Sequence, residues 1–162
     1  MRFNTKAKAS EVVVVKPTGC DFEGMVRIKK ECGELELARA LNGLISSGRE
    51  APAAHFRLVA RIGGKCVGFV LYGRGSGGIV VIELAVAPKH RRAGVGRAIV
   101  SRLFSKVSGK SPVVTFWVHE RNVGAQLFLR NVGAHYYCSK KLDGIDSAYK
   151  FKYEVRPMSD VV

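Results

Sequence analysis

The stretch from Ile79 to Val107 constrains the fold more than any other. Ile79-Val80-Val81-Ile82-Glu83-Leu84-Ala85-Val86 is apolar and β-branched, as a buried strand requires, and it stops at Pro88. A basic loop, Lys89-His90-Arg91-Arg92-Ala93, then reaches Gly94-Val95-Gly96. From Gly94 to Val107 the apolar positions recur at helical spacing. Val95, Ala98, Ile99, Leu103 and Val107 share one face, with Arg97, Ser101, Arg102 and Ser105 opposite. A strand that enters a helix through a glycine-bearing loop leaves the first helical amides free for a ligand. This junction predicts an α/β protein with an anion site at the strand end.

The flanking segments extend that pattern. Glu11–Lys16 reads as a strand ended by Pro17, and Asp21 to about Ser47 as helix interrupted at Cys32-Gly33. Asp21 suits the cap of the first helix, and Glu34 and Glu36 the first turn of the second. Phe56–Ile62 and Cys66–Tyr72 alternate as strands around a Gly63-Gly64 turn, and a second turn, Gly73–Gly78, leads into Ile79. Pro112–Val118 is a strand. Asn122–Val132 is a helix with Asn122 as N-cap and Gly133 just past its end. Strands at about Ala134–Lys141 and Ser147–Val155 flank an Asp143-Gly144 turn. The order is β-α-α-β-β-β-α-β-α-β-β, an α/β fold with a mixed central sheet and helices on both faces. With 162 residues and no repeat or linker, it reads as a single domain, 1–162, with its core at about 11–155 and short tails.

Composition excludes several classes. Apolar residues make up 47 % and charged residues 25 %, ordinary for a globular chain rather than a disordered one. The longest apolar runs, Val12–Val15 and Ile79–Ile82, fall far short of the roughly 18 residues of a membrane span. Cys20, Cys32, Cys66 and Cys138 show no metal-ligand spacing, so they read as reduced, mostly buried thiols with no metal. The start, MRFNTKAKAS, is basic and lacks the apolar run of a secretory signal, which points to the cytoplasm. Charge is the unusual property: 27 Lys and Arg against 13 Asp and Glu give +14, a field that attracts anions.

Two loops have the glycines of a phosphate cradle. Gly73-Arg74-Gly75-Ser76-Gly77-Gly78 spells GxGxxG, but a β-branched strand follows where the dinucleotide mechanism needs a helix, so it reads as a hairpin turn. The loop from Val86 to Arg97 does precede a helix, and Arg91, Arg92 and Arg97 surround its glycines. Arg91-x-x-Gly94-x-Gly96, after a strand ending Leu84-Ala85-Val86-x-Pro88, resembles the acetyl-CoA signature of the GNAT family of N-acetyltransferases. Asn122-x-x-Ala125-x-x-Phe128 with Gly133 is similar to that family's downstream helix pattern, and the element order fits from about Glu11 to Val155.

The resemblance implies a mainly antiparallel sheet and acetyl-CoA as co-substrate. Amides of Arg92, Ala93, Gly94, Val95, Gly96 and Arg97 would cradle the pyrophosphate, with Arg91 and Arg97 near phosphates. The strand Leu84-Ala85-Val86 would pair with the pantetheine arm through Leu84 and Val86. Asn122 would bond the same arm, and Phe128 of the downstream helix would belong to the cofactor-binding residues. The thioester carbonyl would be polarised by a backbone amide, that of Val86, while an amine attacks directly.

The proton-transfer residues of such enzymes are less legible. Leu129 stands where many members carry a Tyr, Ala134 where a Phe is usual, and Val80 and Trp117 where some carry an acid, Tyr or His. The candidates are Glu83, the sole acid between Glu50 and Glu120, then His119, Tyr136 and Tyr137. A carboxylate in an apolar strand must be paired or line a cavity, and pairing with an Arg is its alternative. His119 shares the parity of Trp117, so it is a cleft residue or a surface one at the strand end. Tyr136 and Tyr137 point to opposite faces, so one can reach the cleft unless both pack in the core. General acid–base help is worth roughly 10²–10⁴-fold. An α-amine of pKa about 7.8 is roughly a tenth neutral at pH 7, a lysine far less. A site without a strong base therefore favours a protein N-terminal α-amine or a small-molecule amine. The Cys32–Glu36 junction and the Asp143–Asp146 turn would select the acceptor, Glu34, Glu36, Asp143 and Asp146 forming an acidic mouth or simply solvated turns.

The charge leaves a rival from another class. A catalytically weak acyl-CoA-binding module that docks on RNA or a ribonucleoprotein, an anionic macromolecular partner, would also use +14. Along the sequence the basic residues are scattered, with no aromatic-interleaved stripe.

Overall fold

Alternating apolar residues and a tight Gly63-Gly64 turn help wind the described strands into one sheet. The computed structural model describes residues 11–33, 41, 43–45, 52, 54–75, 78–107, 113–142 and 146–154. The elements are β1 (Val13–Val15), α1 (Asp21–Cys32), β2 (Ala54–Ile62), β3 (Lys65–Gly75), β4 (Gly78–Val86), α2 (Val95–Lys106), β5 (Val113–His119), α3 (Val123–Asn131), β6 (His135–Lys141) and β7 (Ser147–Glu154). A 3₁₀ turn, Pro88–His90, lies between β4 and α2. The strands are ordered β1-β2-β3-β4-β5-β7-β6. Every neighbouring pair is antiparallel except β4–β5. Residues 41 and 43–45 are helical, which is all that is described of the expected second helix.

Two clusters of side chains hold the layers together. On one face Met25 and Ile28 of α1 pack on Val59, Cys66, Phe69 and Ala87. On the other, Val95, Ile99, Val100 and Leu103 of α2, with Leu129 of α3, pack on Leu58, Val70, Val81, Val114, Phe116 and Phe151. Strand alternation makes both faces apolar, as a sheet covered on two sides demands. A Cβ at Gly68 would sit 3.1 Å from both the Ala85 carbonyl and Val95 Cγ1, so the bare backbone there lets α2 lie close on β3.

Several local expectations change. Asp21 is not an N-cap but the first residue of α1, and it is 3 % exposed. Its carboxylate accepts from the Thr18 N–H (2.7 Å) and from Arg61 Nε (3.0 Å), because a cation on β2 offers more than the helix's own amides. The Gly73–Gly78 turn is narrower than expected. β3 continues to Gly75 and pairs there with Gly78, so β3 and β4 form a hairpin, as expected of this segment. The thiols are less buried than expected: Cys66 is buried, Cys32 and Cys138 partly so, and Cys20 exposed. No helix among the described residues is long and apolar enough to cross a membrane.

Candidate active site

The single parallel pair sets up the cleft. β4 and β5 pair only at Ile79↔Val114, Val80↔Thr115 and Val81↔Phe116. Directly beyond, β4 carries an irregularity, since Leu71 pairs with Glu83 while Tyr72 pairs with Val81 and Ile82 is extra. The rest of β4 stays on β3, and the rest of β5 stays on β7. The two strands thus part at Ile82, between a β4 arm of Glu83–Val86 and a β5 arm of Trp117–His119. The Ala87 N–H returns to the Val67 carbonyl (2.8 Å). By strand alternation, Val86 and Leu84 aim their own N–H and C=O groups into the gap.

The loop above the gap is curled by two left-handed residues, Arg92 (φ 61°) and Gly94 (φ 83°). Arginine in that region costs about 1–2 kcal/mol, a strain that clusters at functional loops. Gly94 is the N-cap of α2, and no side chain caps the helix, so the first amides of α2 form a bare nest beside the end of β4. A Cβ at Gly96 would lie 3.2 Å from the Phe128 ring and 3.8 Å from Val86 Cγ2. Phe128 therefore packs from α3 against the first turn of α2, and a side chain at position 96 would push its ring by a few tenths of an ångström. Arg97 reaches the Asn131 carbonyl (3.4 Å).

Arg91 does something the sequence did not announce. Its Nε donates to the Val86 carbonyl (3.3 Å), and its Nη2 lies 3.3 Å from Cys32 Sγ at the end of α1. The Cys32 thiol also contacts the Val86 carbonyl (3.7 Å). A carbonyl expected to pair with a ligand is thus held by two side chains, 59 residues apart in the chain. Nothing local links them, so only the fold reveals the contact. Asn122 caps α3, its Oδ1 accepting from the Ala125 N–H (3.1 Å).

The catalytic candidates separate by face. Leu84 and Val86 pack with the α2-side core, whereas Ala85 packs with the α1-side cluster. Glu83 accordingly turns toward α1, where Lys29 Nζ meets its carboxylate at 3.0 Å; the partner is a lysine, not the expected arginine. Val114, Phe116 and Val118 belong to the α2-side core, so Trp117 shares the α1 side with Glu83. His119 is not a surface residue: it is 2 % exposed. Its Nδ1 accepts from the Arg121 N–H (3.1 Å), and its Nε2 lies 3.5 Å from Asp146 Oδ2. Both ring nitrogens thus have partners within the protein. Tyr136 and Tyr137 do lie on opposite faces, but neither is core, at 50 % and 57 % exposed. Tyr136 packs edge-on to Tyr149 and Phe151, and Tyr137 meets Lys150 and Lys152. Both stand on β6, the edge strand of the sheet, where Tyr137 is the extra residue of a register shift between Tyr136 and Cys138.

The acidic mouth loses Asp146. Arg121 Nη2 binds both its oxygens (2.6 and 2.7 Å), and that guanidinium holds the carboxyl below its ordinary range. Glu34, Glu36 and Asp143 lie outside the described residues.

A mixed sheet that splays at its one parallel pair, with a bare helix N-terminus at the opening, is an acetyltransferase architecture. The chain belongs to the acetyltransferase (GNAT) family, which it matches over residues 23–134. It is 31 % identical over 134 residues to the mycothiol acetyltransferase of Clavibacter michiganensis, covering 77 % of this chain and 40 % of that one. The chain thus spans less than half the length of that relative. Its fold is similar to the ribosomal-protein-alanine N-acetyltransferase of Brucella melitensis, with TM-score 0.65 and 18 % identity over 88 % of this chain and 99 % of that one. It is also similar to a Bacillus anthracis acetyltransferase solved in complex with acetyl coenzyme A, with TM-score 0.58 and 14 % identity over 67 % of this chain and 65 % of that one.

Proposed function

We propose that this chain transfers an acetyl group from acetyl-CoA to a primary amine by direct attack. The observation that carries the reading is the nest of uncapped α2 amides set beside the free arm of β4. That nest suits a pyrophosphate, and Arg91, Arg92 and Arg97 supply charge around it. Leu84 and Val86 present strand groups to an extended arm, and the snug Gly96–Phe128 contact closes the end of the cleft. Acetyl-CoA supplies the activated thioester. The Val86 N–H would hold its carbonyl oxygen as the amine nitrogen bonds to the carbonyl carbon and the C–S bond breaks. Glu83, kept on the acceptor side by Lys29, would take the amine proton directly or through a water. Tyr137 is the tyrosine on that face and the candidate donor to the departing thiolate. The α-amine of a protein N-terminus or a small-molecule amine fits best, since either presents a neutral nitrogen near pH 7 more readily than a lysine.

The test follows thiol release from acetyl-CoA against a panel of amines and peptides. Release that depends on an amine carries the reading, and Gly94→Glu, which puts a carboxylate in the nest, should abolish both acetyl-CoA binding and release. Absence of release with every acceptor, together with salt-sensitive RNA binding, would transfer the assignment to an acyl-CoA-binding module.

A further inference from the structure

The last carbonyl of β4 is held from two directions. The Ala87 N–H returns to β3, so the Val86 carbonyl points away from that strand and into the gap. Arg91 Nε donates to it at 3.3 Å, and Arg91 Nη2 lies 3.3 Å from Cys32 Sγ. Cys32 Sγ lies 3.7 Å from the same carbonyl. The three groups close a triangle between the loop before α2, the end of α1 and the strand. Its α1 corner is anchored. One turn before Cys32, Lys29 pairs with Glu83 at 3.0 Å, and at the start of the helix Asp21 accepts from Arg61 Nε at 3.0 Å. The loop corner is looser: Arg91 is exposed, and its acceptors are a neutral carbonyl and a thiol, both weaker than an anion.

We propose that Arg91 determines which thioesters enter the cleft. Its guanidinium covers the Val86 carbonyl until a diphosphate at the start of α2 draws it away, so the arm of a diphosphate-bearing thioester is admitted and a thioester without one is resisted. The inference rests on the acetyl-CoA reading and adds a selection step for the donor. Arg91 stands five residues after Val86 and three before Gly94, the N-cap of α2, so one long side chain serves either the strand or the nest. Only at the strand does it obstruct, because the carbonyl it holds is one the pantetheine arm would pair with. A diphosphate offers the guanidinium charge-assisted bonds about twice as strong as those to a neutral acceptor, so the exchange runs toward the nest once that anion arrives. Cys32 adds a second contact but no positive charge, so its removal loosens the clamp without weakening the nest. Both halves of the donor thus favour the same position of Arg91, and by linkage each tightens the other to the same degree.

The experiment takes the donor apart. ADP stands in for the diphosphate half and pantetheine for the arm, and calorimetry measures each with wild type, Arg91→Ala and Cys32→Ala, with circular dichroism certifying the fold. Arg91→Ala should weaken ADP yet tighten pantetheine about 2–10-fold, the worth of one net hydrogen bond. A plain phosphate contact would weaken ADP alone, and a plain structural contact would weaken both. Cys32→Ala should tighten pantetheine and leave ADP unchanged, which tests the clamp from its other corner. In wild type, saturating ADP should tighten pantetheine by a similar 2–10-fold, and in Arg91→Ala it should not. Pantetheine that binds neither variant, or binds Arg91→Ala no better than wild type, would overturn the inference, as would coupling to ADP that survives in Arg91→Ala. Turnover separates this claim from acetyl transfer itself. In Arg91→Ala, kcat/KM should rise for S-acetylpantetheine and fall for acetyl-CoA. Opposite shifts in binding without thiol release to any amine would keep the clamp and discard acetyl transfer. Thiol release with S-acetylpantetheine used no better by the variant would discard the clamp alone.

Discussion

Asp21 offers a quantitative test of what anchors α1, the helix that brings Lys29 to Glu83 and Cys32 to Val86. Its carboxyl falls from the ordinary 3.8 to about 2, chiefly through the Arg61 hydrogen bonds, against the opposing effect of burial. By linkage that drop is worth about 2 kcal/mol at neutral pH. The sign follows from a depressed folded-state value: the stabilisation is full above about pH 4 and is lost as pH falls through about 2. Asp21→Asn preserves shape and one acceptor for the Thr18 amide while removing the charge. At pH 7 it should cost about 2 kcal/mol, or about 4–8 °C in Tm for a chain of this length. At pH 3 the gap between wild type and variant should shrink to about half. Urea unfolding followed by far-ultraviolet circular dichroism at the two pH values measures both quantities. A gap that stays constant between pH 7 and pH 3 would show a packing defect and refute the electrostatic account, as would a loss below about 0.5 kcal/mol at pH 7.

Three further outcomes bear on the cleft. Gly96→Ala places a methyl 3.2 Å from Phe128, so the ring must shift by tenths of an ångström; KM for acetyl-CoA should rise several-fold, with partial recovery in Gly96→Ala/Phe128→Leu, and an unchanged KM would remove Phe128 as the closing contact. Glu83→Gln should lower kcat/KM by about 10²–10⁴ at neutral pH and recover toward high pH, where the amine is neutral unaided; a flat, undiminished profile would strike Glu83 from the proton path. Cys32→Ala removes a thiol that holds Arg91 and the Val86 carbonyl. If those contacts compete with the pantetheine arm, acetyl-CoA should bind about 2–10-fold tighter, the worth of one net hydrogen bond, and weaker binding would make them supporting contacts instead.

What the sequence discloses and what it conceals divide along a physical line. The strand-to-helix junction was legible because its determinants are local: β-branched residues make β4, glycines set the left-handed turn and the close approach to Phe128, and apolar spacing marks the buried face of α2. Asn122 was legible as a cap for the same reason. The Asp21–Arg61 pair, the Arg91–Cys32 contact and the group that joins buried His119 to Asp146 and Arg121 depend on strand order and register, which no window along the chain contains. The exposure of Tyr136 and Tyr137 goes with the place of β6 at the edge of the sheet, and a one-residue slip at Tyr137 resets the facing of the side chains after it. The charge excess shows the same division most clearly. Arg91, Arg92 and Arg97 are close in sequence and near the α2 amides, so their use for an anionic cofactor could be read directly. Lys140, Lys150 and Lys152 looked dispersed until β5, β7 and β6 aligned them with Trp117 and Tyr137. Salt should raise KM for acetyl-CoA, and Arg92→Gln should flatten that dependence.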